Sequence, residues 1–476
     1  MLYKIALLAM VLPLAACVSS LTPLPLLPDV TVPMTWSASV VAPASSPVNG
    51  STNLGQWWQR FNDPLLDKLI DQALQANSTV AIAKTALLQS RALRDVAATS
   101  LFPRIDATAS AQRSKSGDAS PSNSFHAGFD ASWEPDVFGG NRSALQASEA
   151  NTESSTANLA GVQVSIAAEV AVTYIQLRGA QARFAIAQEN LNSQLETLQI
   201  TNWRVQAGLL TSLEGEQARA ASEQTRAQIP TLETNVAQLR HSLAVLCGQA
   251  PNALQTQLEI ISPVPQPQAD LVMSIPAETL RQRPDVHAAE YQISAAWSKV
   301  RQADAARYPS FQIGGSLGLQ GLTIGTLTNS ASIVSAILAN VSFPIFDAGA
   351  SRAQVRFQQA AFEQARMSYQ STVLIALKEV EDALVALAGD RERLLRLGNA
   401  AEAAANAALM ARQRYTSGLV DFQTVLETQR TLFSTQDALA STSTDLSADH
   451  VRLYKALGGG WQPDSVENTS VISQTH

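Results

Sequence analysis

The feature that most constrains this chain is a heptad pattern that occurs twice. Apolar residues stand at every seventh position through residues 170–205, and the same pattern returns through residues 380–415, at sequence numbers larger by 210. A sustained seven-residue repeat predicts a helix that supercoils against another helix with a left-handed twist. No proline occurs in residues 136–229 or 345–462. The chain is therefore expected to form two long, unbroken helices.

Each long helix is predicted to turn back on a second heptad helix. The resulting helical hairpins should cover about residues 142–248 and 351–458, and a helix of 66 or 67 residues would be roughly 100 Å long. Gly208 and Gly418 are placed to end the first helix of each hairpin. A capping box that starts at Thr211, and an N-cap at Asp421, are predicted to begin the return helices.

The segment before each helical hairpin alternates between apolar and polar residues. This alternation predicts two β-hairpins, at about residues 104–134 and 309–344, with strands of about 10 residues. Aromatic residues stand at the strand ends, as in transmembrane β-strands whose apolar side chains face lipid and whose polar side chains face a lumen. The strands of a soluble sandwich would look similar, and the export signal described next favours the membrane.

The N-terminus has the pattern of a bacterial export signal. Lys4 precedes a short apolar run, and residues 1–16 are read as a signal peptide. Leu14-Ala15-Ala16-Cys17 resembles a lipobox, in which the Cys17 sulfur is acylated. A chance cysteine after an ordinary signal is the alternative. Residues 17–48 are rich in proline and predict an extended tether. We expect no later helix to span a bilayer, so any insertion would use strands.

Composition excludes several classes of protein. The 476 residues carry a net charge of −7, which argues against nucleic-acid binding. Five scattered histidines and two cysteines form no metal motif, and neither a GxSxG motif nor a phosphate-binding loop occurs. We expect no enzyme activity, cofactor or metal site, and Cys247 is predicted to be an inert core thiol. Trp57 and Trp58 are predicted to anchor packing.

Four strands cannot close a barrel. An open sheet edge in lipid leaves backbone groups unpaired at a cost of several kcal/mol each. The chain is therefore expected to form oligomers, and a trimer would supply twelve strands.

Two motifs carry a family resemblance. Gln56-Trp57-Trp58-Gln59-Arg60-Phe61-Asn62-Asp63-Pro64-Leu65 and Leu280-Arg281-Gln282-Arg283-Pro284-Asp285-Val286 resemble the TolC-like outer-membrane efflux factors, NodT-type lipoprotein branch. The resemblance implies a mainly α fold with membrane β-structure. In that fold a trimeric 12-stranded outer-membrane β-barrel continues into a long periplasmic α-helical barrel. Two tandem repeats, residues 49–260 and 261–460, would build it, followed by a tail at 461–476.

The resemblance also implies a function. Such proteins are exit ducts of tripartite efflux systems in the outer membrane of Gram-negative bacteria. They work with a periplasmic adaptor and an inner-membrane pump, often of the resistance-nodulation-division class, to expel drugs or other toxic molecules. The duct of a peptide or protein secretion system, or a non-conducting coiled-coil lipoprotein, are the alternatives from the residues alone.

Members of the family narrow at the periplasmic helix tips. By position, the candidates for this constriction are Glu214, Glu216, Tyr415, Asp421, Gln423, Glu427 and Arg430. Glu214 and Asp421 could equally serve as helix caps. Gln423 and Thr424 depart from the family pattern. The candidates for adaptor contact are the hairpin tips, Gly208, Leu209, Gly418 and Leu419.

Overall fold

A computed structural model describes residues 36, 54–118, 120–267, 280 and 282–461. The predicted signal peptide, the predicted lipidation site Cys17 and the predicted tail, apart from Trp461, lie outside these residues.

The described elements follow the same order in both halves of the chain. The first half contains a 3-10 helix at Leu54–Phe61, α1 (Pro64–Ala76), α2 (Ser78–Thr99), β1 (Arg104–Ser114), β2 (Ser122–Trp133), α3 (Gly140–Gln206), α4 (Ser212–Leu246) and α5 (Gln255–Glu259). The second contains α6 (Pro284–Ala305), β3 (Ser310–Gly321), 3-10 turns at Ile324–Thr326 and Ser330–Ser332, β4 (Ile333–Ser342), α7 (Ala350–Thr416) and α8 (Phe422–Ala456).

The long helices repeat with one constant offset in sequence number. The numbers at both ends of α7 exceed those of α3 by 210, since 350 − 140 and 416 − 206 are equal, and both ends of α8 exceed those of α4 by the same amount. Strand β3 begins at Ser310 and β1 at Arg104, so the strands have an offset of 310 − 104 = 206. The second half of the chain therefore has 210 − 206 = 4 more residues than the first between the start of its first strand and the start of its long helix.

The four strands form one antiparallel sheet in the order β1-β2-β3-β4. Phe129 of β2 pairs with Ala107 of β1 and with Leu317 of β3, and Leu317 pairs in turn with Ser335 of β4. Strands β1 and β4 each have one edge without a partner strand in the described residues. The sheet of one copy is therefore open.

The two faces of this sheet differ in polarity. Ile105, Phe129, Leu317 and Ile337 lie on one face and are 57 to 90% exposed. The opposite face of β1 and β2 carries polar residues, among which the Thr108 hydroxyl donates to an Asp130 carboxylate oxygen at 2.7 Å. An apolar face that one copy leaves uncovered is the arrangement predicted for strands that contact lipid.

The chain divides into two compact units. The first contains Thr85–Ala157 and Asp285–Thr372, and therefore the whole sheet. The second contains the other described residues, including most of the two helical hairpins.

An aspartate organises each turn from a strand into a long helix in the first unit. Asp136 accepts hydrogen bonds from the backbone N–H groups of Asn141 and Arg142 at 3.1 and 2.8 Å. Asp347 does the same for Gly349 and Ser351, at 2.8 and 2.9 Å. Hydrogen bonds from Ser351, side chain first, lower the pKa of Asp347 to about 2. A carboxylate at this position also suits the positive end of the helix dipole.

The second unit has its largest core around Trp57. Trp57 is fully buried and stacks on Tyr454 with ring centroids 5.3 Å apart, and Trp58 is nearly as buried. The packing role predicted for this pair is confirmed. Cys247 lies in the same core, where burial raises the pKa of its thiol to about 11. The interpretation of Cys247 as a core thiol is confirmed too.

The heptad residues pack as their spacing predicts. Val170 and Leu177 of α3 belong to the Trp57 core together with Leu243 of α4. A second cluster joins α7 to α8 and includes Val380, Leu384, Leu387, Leu446 and Leu453, with Trp36 packed against it. The seven-residue repeat thus corresponds to buried seams between helices.

A fully buried arginine ties the start of α1 to the middle of α3. The Arg178 guanidinium donates to the Tyr174 hydroxyl at 3.0 Å and to the Ile260 carbonyl at 2.5 Å. The Tyr174 hydroxyl donates to Asp63 at 2.6 Å, and Asp63 also caps α1. Burial, followed by this bond to Asp63, raises the pKa of Tyr174. The sequence reading did not identify this network.

One long helix has a composition that bears on the expectation that no helix after the signal spans a bilayer. Helix α3 is long enough to cross a membrane, and one 18-residue window within it is apolar enough by composition. Half of that window is buried. Core helices pass the same test. The apolar residues of α3 are explained by the Trp57 core, to which Ile166, Val170 and Ile175 belong.

A close approach between α3 and α8 gives a stability prediction. A Cβ at the buried Gly179 would lie 2.6 Å from Thr444 Cγ2 and 2.9 Å from Thr444 Cβ. We expect Gly179→Ala to lower the free energy of unfolding in detergent by about 1–3 kcal/mol, because the two helices would be forced apart.

The matched control is Gly398→Ala in α7, where nothing lies within 4 Å of an added Cβ. That variant should be neutral or slightly stabilising, because alanine favours helix over glycine. Thr444→Ala should recover part of the loss in Gly179→Ala. Equal stability of Gly179→Ala and Gly398→Ala would contradict the close approach.

Candidate functional site at the helix tips

The turns of the two helical hairpins are built alike. At the first turn, the Leu209 N–H donates to the Arg204 carbonyl at 2.8 Å and the Gly208 N–H to the Val205 carbonyl at 3.0 Å. Gly208 has φ +74°, a left-handed conformation that favours glycine. Gly418 has the same φ and the same two hydrogen bonds at the second turn. Both glycines therefore end their helices as predicted.

The residue after each glycine is a leucine whose side chain is exposed to solvent. Leu209 is 73% exposed and Leu419 is 74% exposed. These exposed side chains offer apolar surface that a partner protein can bury. The structure thus places the four predicted contact residues at two matching turns.

Both predicted caps are present at the starts of the return helices. A Glu214 carboxylate oxygen accepts the Thr211 backbone N–H at 3.0 Å, and Asp421 Oδ1 accepts the Thr424 N–H at 2.9 Å. Hydrogen bonds lower both carboxyl pKa values, mainly those from the side chains of Thr211 and Thr424 respectively. These two acids are held ionised by the caps that they form.

Four further polar candidates lie on exposed helix surface. Gln423, Glu427 and Arg430 are exposed on α8 at spacings of four and three residues, which puts them on one face. Glu216 is exposed on α4 and lies 3.7 Å from Arg219. Asp421 is exposed as well, whereas Glu214 is partly buried.

Tyr415 differs from the other candidates because it is buried. It is 4% exposed and packs edge-on against Phe422, with ring centroids 6.0 Å apart. Ala218, Ala221 and Val425 belong to the same cluster. Any effect of Tyr415 on a constriction in this conformation would act through helix packing.

Arg204 connects the two tips and was missed as a functional residue. Its guanidinium lies 4.4 Å from the centre of the Tyr415 ring. Its two Nη atoms donate to the carbonyls of Tyr415 and Thr416, each at 3.1 Å. The cation therefore sits at the negative end of α7 and satisfies carbonyls that the helix end leaves open. Its position in the last turn of α3 was the available signal.

Polar pairs continue the connection between the hairpins away from the tips. Arg183 of α3 makes a two-pronged ion pair with Asp437 of α8, at 2.7 and 3.0 Å. The Gln429 amide of α8 donates to the Thr197 hydroxyl of α3 at 3.1 Å. Two-pronged pairs fix orientation as well as contributing energy. The first hairpin is thus bonded to the second along a seam between α3 and α8.

Comparison with known proteins identifies relatives over nearly the whole chain. A family model described as outer membrane efflux protein matches residues 69–249 and 275–459. The pyoverdine export outer membrane protein OpmQ of Pseudomonas aeruginosa is 31% identical over 97% of this chain and 98% of its own. The solvent efflux pump outer membrane protein SrpC of Pseudomonas putida is 31% identical over 84% of this chain and 86% of its own.

Solved structures agree with these sequence matches. The outer-membrane channel OprN superposes with a TM-score of 0.84 at 35% identity, covering 92% of this chain and 100% of the channel chain. The open state of the Neisseria gonorrhoeae MtrE outer membrane channel gives a TM-score of 0.79 at 25% identity, covering 92% and 98% of the two chains.

The contact made by Arg204 gives a prediction for the tips. We expect Arg204→Ala to raise the hydrogen-exchange rate of the backbone amides of residues 416–419 about fivefold. Losing the bonds to a partly exposed cation should cost about 1 kcal/mol at the end of α7. Arg204→Lys keeps the positive charge but loses the two-pronged guanidinium donor. Its exchange rate should lie between those of the unaltered protein and Arg204→Ala. Unchanged exchange in Arg204→Ala would contradict the role of Arg204 in holding the turn.

Proposed function

The chain belongs to the outer membrane efflux protein family and serves as the outer-membrane exit duct of an efflux system, and we propose that it does so as a homotrimer. The open sheet is the observation that carries the trimer. Within the described residues, β1 and β4 each have one edge without a partner strand, and the sheet has an exposed apolar face. Both features are unfavourable until the sheet closes in lipid.

Three copies would close the sheet without changing its pattern. Four antiparallel strands alternate in direction, so β4 of one copy would lie antiparallel to β1 of the next. Twelve strands enclose a lumen, with the exposed apolar face towards lipid and the polar face inside. The long helical hairpins would continue the duct into the periplasm. Molecules would cross it passively, driven by the pump below.

We propose small organic molecules as the cargo. The relatives are named for pyoverdine export and for solvent efflux. Drugs and other toxic compounds fall in the same class. The duct would limit only the size of the exported molecule, and we assign the choice among such molecules to the pump.

The partners proposed for the duct are a periplasmic adaptor and an inner-membrane pump of the resistance-nodulation-division class. The adaptor would contact the turns at Gly208 and Gly418, where Leu209 and Leu419 are exposed. Burial of these two apolar side chains would favour binding.

We also propose that Cys17 is acylated and anchors the chain in the outer membrane. The support is the run of small residues before Cys17 and the apolar segment that precedes them. Several acyl chains would hold the N-terminus firmly. Intact-mass measurement of the N-terminal peptide tests this, and an unmodified Cys17 would exclude it.

Single-channel recording in a planar bilayer tests the duct. We expect the purified protein to give discrete conductance steps as a trimer. Ile337→Arg should strongly reduce insertion, because a cation at the middle of the lipid-facing surface costs about 2–4 kcal/mol. Ala336→Arg, on the opposite face of the same strand, should still insert and should favour anions. Absence of any pore in the unaltered protein would point to a non-conducting scaffold and overturn the proposal.

The constriction is proposed to lie at the tips and to depend on Tyr415 and Glu427. We expect the pair of substitutions Tyr415→Ala and Glu427→Ala to raise the leak conductance of the closed channel several-fold. The first loosens helix packing, and the second removes an exposed charge near the narrowest point.

The pair Tyr415→Phe and Glu427→Ala is the matched control for packing. The Tyr415 hydroxyl has no hydrogen-bond partner within the described residues, so phenylalanine should keep the packing and give a smaller leak. Closed-state conductance that stays the same in both pairs would remove these residues from the gate.

A further inference from the structure

The two helical hairpins are copies of each other, residue by residue. Adding 210 to the residue number at each end of α3 and α4 gives the corresponding end of α7 and α8. Gly208, Gly248, Gly418 and Gly458, which follow these helices, all have φ between +70° and +75°. Each residue in the first hairpin therefore has a structural counterpart at the same offset in the second.

Within one chain, α3 makes two specific contacts with the second helical hairpin, one with α8 and one with the end of α7. Gly179 is buried where α3 approaches Thr444 of α8. Arg204, at the end of α3, binds the last carbonyls of α7. A small residue at a close approach and a cation at a helix C-terminus are both specific devices.

The counterparts of these residues are present in the chain, but among the described residues they do not make the corresponding contacts. Gly389 corresponds to Gly179, Thr234 to Thr444, and Arg414 to Arg204. All three are exposed, although Gly179 and Thr444 are buried. Nothing lies within 4 Å of a Cβ built on Gly389. Among the described residues, the Arg414 guanidinium has no hydrogen-bond or ion-pair partner.

We propose that α7 of one copy packs against α4 of the next copy as α3 packs against α8 within a chain. Gly389 then meets Thr234 of the neighbouring copy. Arg414 donates to the Val205 and Gln206 carbonyls at the end of the neighbour's α3. This inference rests on the proposed trimer and adds to it the residues that join the copies.

Charge complementarity supports a second copy as the occupant of this surface. Arg414 is an exposed cation at one edge of the second hairpin, and the end of α3 carries the partial negative charge of a helix C-terminus. The Gln206 carbonyl accepts no hydrogen bond from the described residues, whereas its counterpart on Thr416 accepts one from Arg204. The donor belongs to the second hairpin and the acceptor to the first, so a ring of identical copies can pair them between neighbouring chains.

The seam between copies is predicted to be weaker than the seam within a chain. Val205 stands where Tyr415 supports the cation in the intrachain contact. Arg393 corresponds to Arg183, but Ala227 replaces the partner Asp437. The interface between copies therefore keeps the close approach and the helix-end cation, and loses the aromatic support and the ion pair. Movement at the tips would start between copies.

Paired cysteines test this assignment in the full-length protein, in a background with Cys247→Ala. We expect Gly389→Cys combined with Thr234→Cys to form a cross-link between chains after mild oxidation or with a short bismaleimide. Dimers and trimers should then appear on a denaturing gel. The matched control, Gly179→Cys with Thr444→Cys, should cross-link within a chain and run as a monomer.

The outcomes separate this inference from the proposed function. An intact native trimer in which the 389/234 pair gives no interchain product, or links within one chain, would overturn the assigned seam alone. A protein that is monomeric before cross-linking would overturn the trimer itself. As a second variant, Gly389→Leu should lower the fraction of trimer at least tenfold while helix content stays the same. Gly398→Leu, on an open part of α7, should leave the trimer fraction unchanged.

Discussion

Backbone hydrogen bonding in lipid is the constraint on which the rest of this structure depends. A strand edge has no water to bind in the hydrocarbon region, so β1 and β4 must each find another strand. The part of the chain that the structure describes supplies four strands, which are too few to close a barrel. In the proposed trimer the long helices, which follow the strands in the chain, would assemble together with them. Unpaired backbone groups at the sheet edges thus favour the assembly of several chains, although each chain is mostly helical.

Elements governed by local chemistry could be predicted from the sequence. The heptad period identifies the buried seams, since Val170, Leu177 and Leu243 do lie in one core. Gly208 and Gly418 could be predicted because only glycine adopts their left-handed conformation without strain. The caps at Glu214 and Asp421 could be predicted because each depends on residues within three positions. Each of these features needs only its own neighbourhood in the chain.

Contacts between distant segments could not be predicted in this way. The fully buried Arg178 donates to the Tyr174 hydroxyl and to the Ile260 carbonyl, and the Tyr174 hydroxyl donates in turn to Asp63. Asp63 and Ile260 come from outside the helix that contains Arg178. Arg204 was visible as a repeated basic residue, but its acceptors belong to the other half of the chain. Tyr415 was named as a constriction candidate from its position near the tip. It is also the last residue of the heptad series 380–415, and that series predicts the burial that the structure shows.

The four residues gained between the start of β3 and the start of α7 show where this architecture tolerates a change of length. The second β-hairpin contains the two 3-10 turns at its tip, beyond the last paired residues of β3 and β4. A loop there can grow without altering any heptad that follows. One residue inserted within α7 would instead rotate every later side chain by about 100° around the helix axis. Changes of length are therefore accommodated in the segment between β3 and β4, whereas the long helices have the same lengths in both halves of the chain.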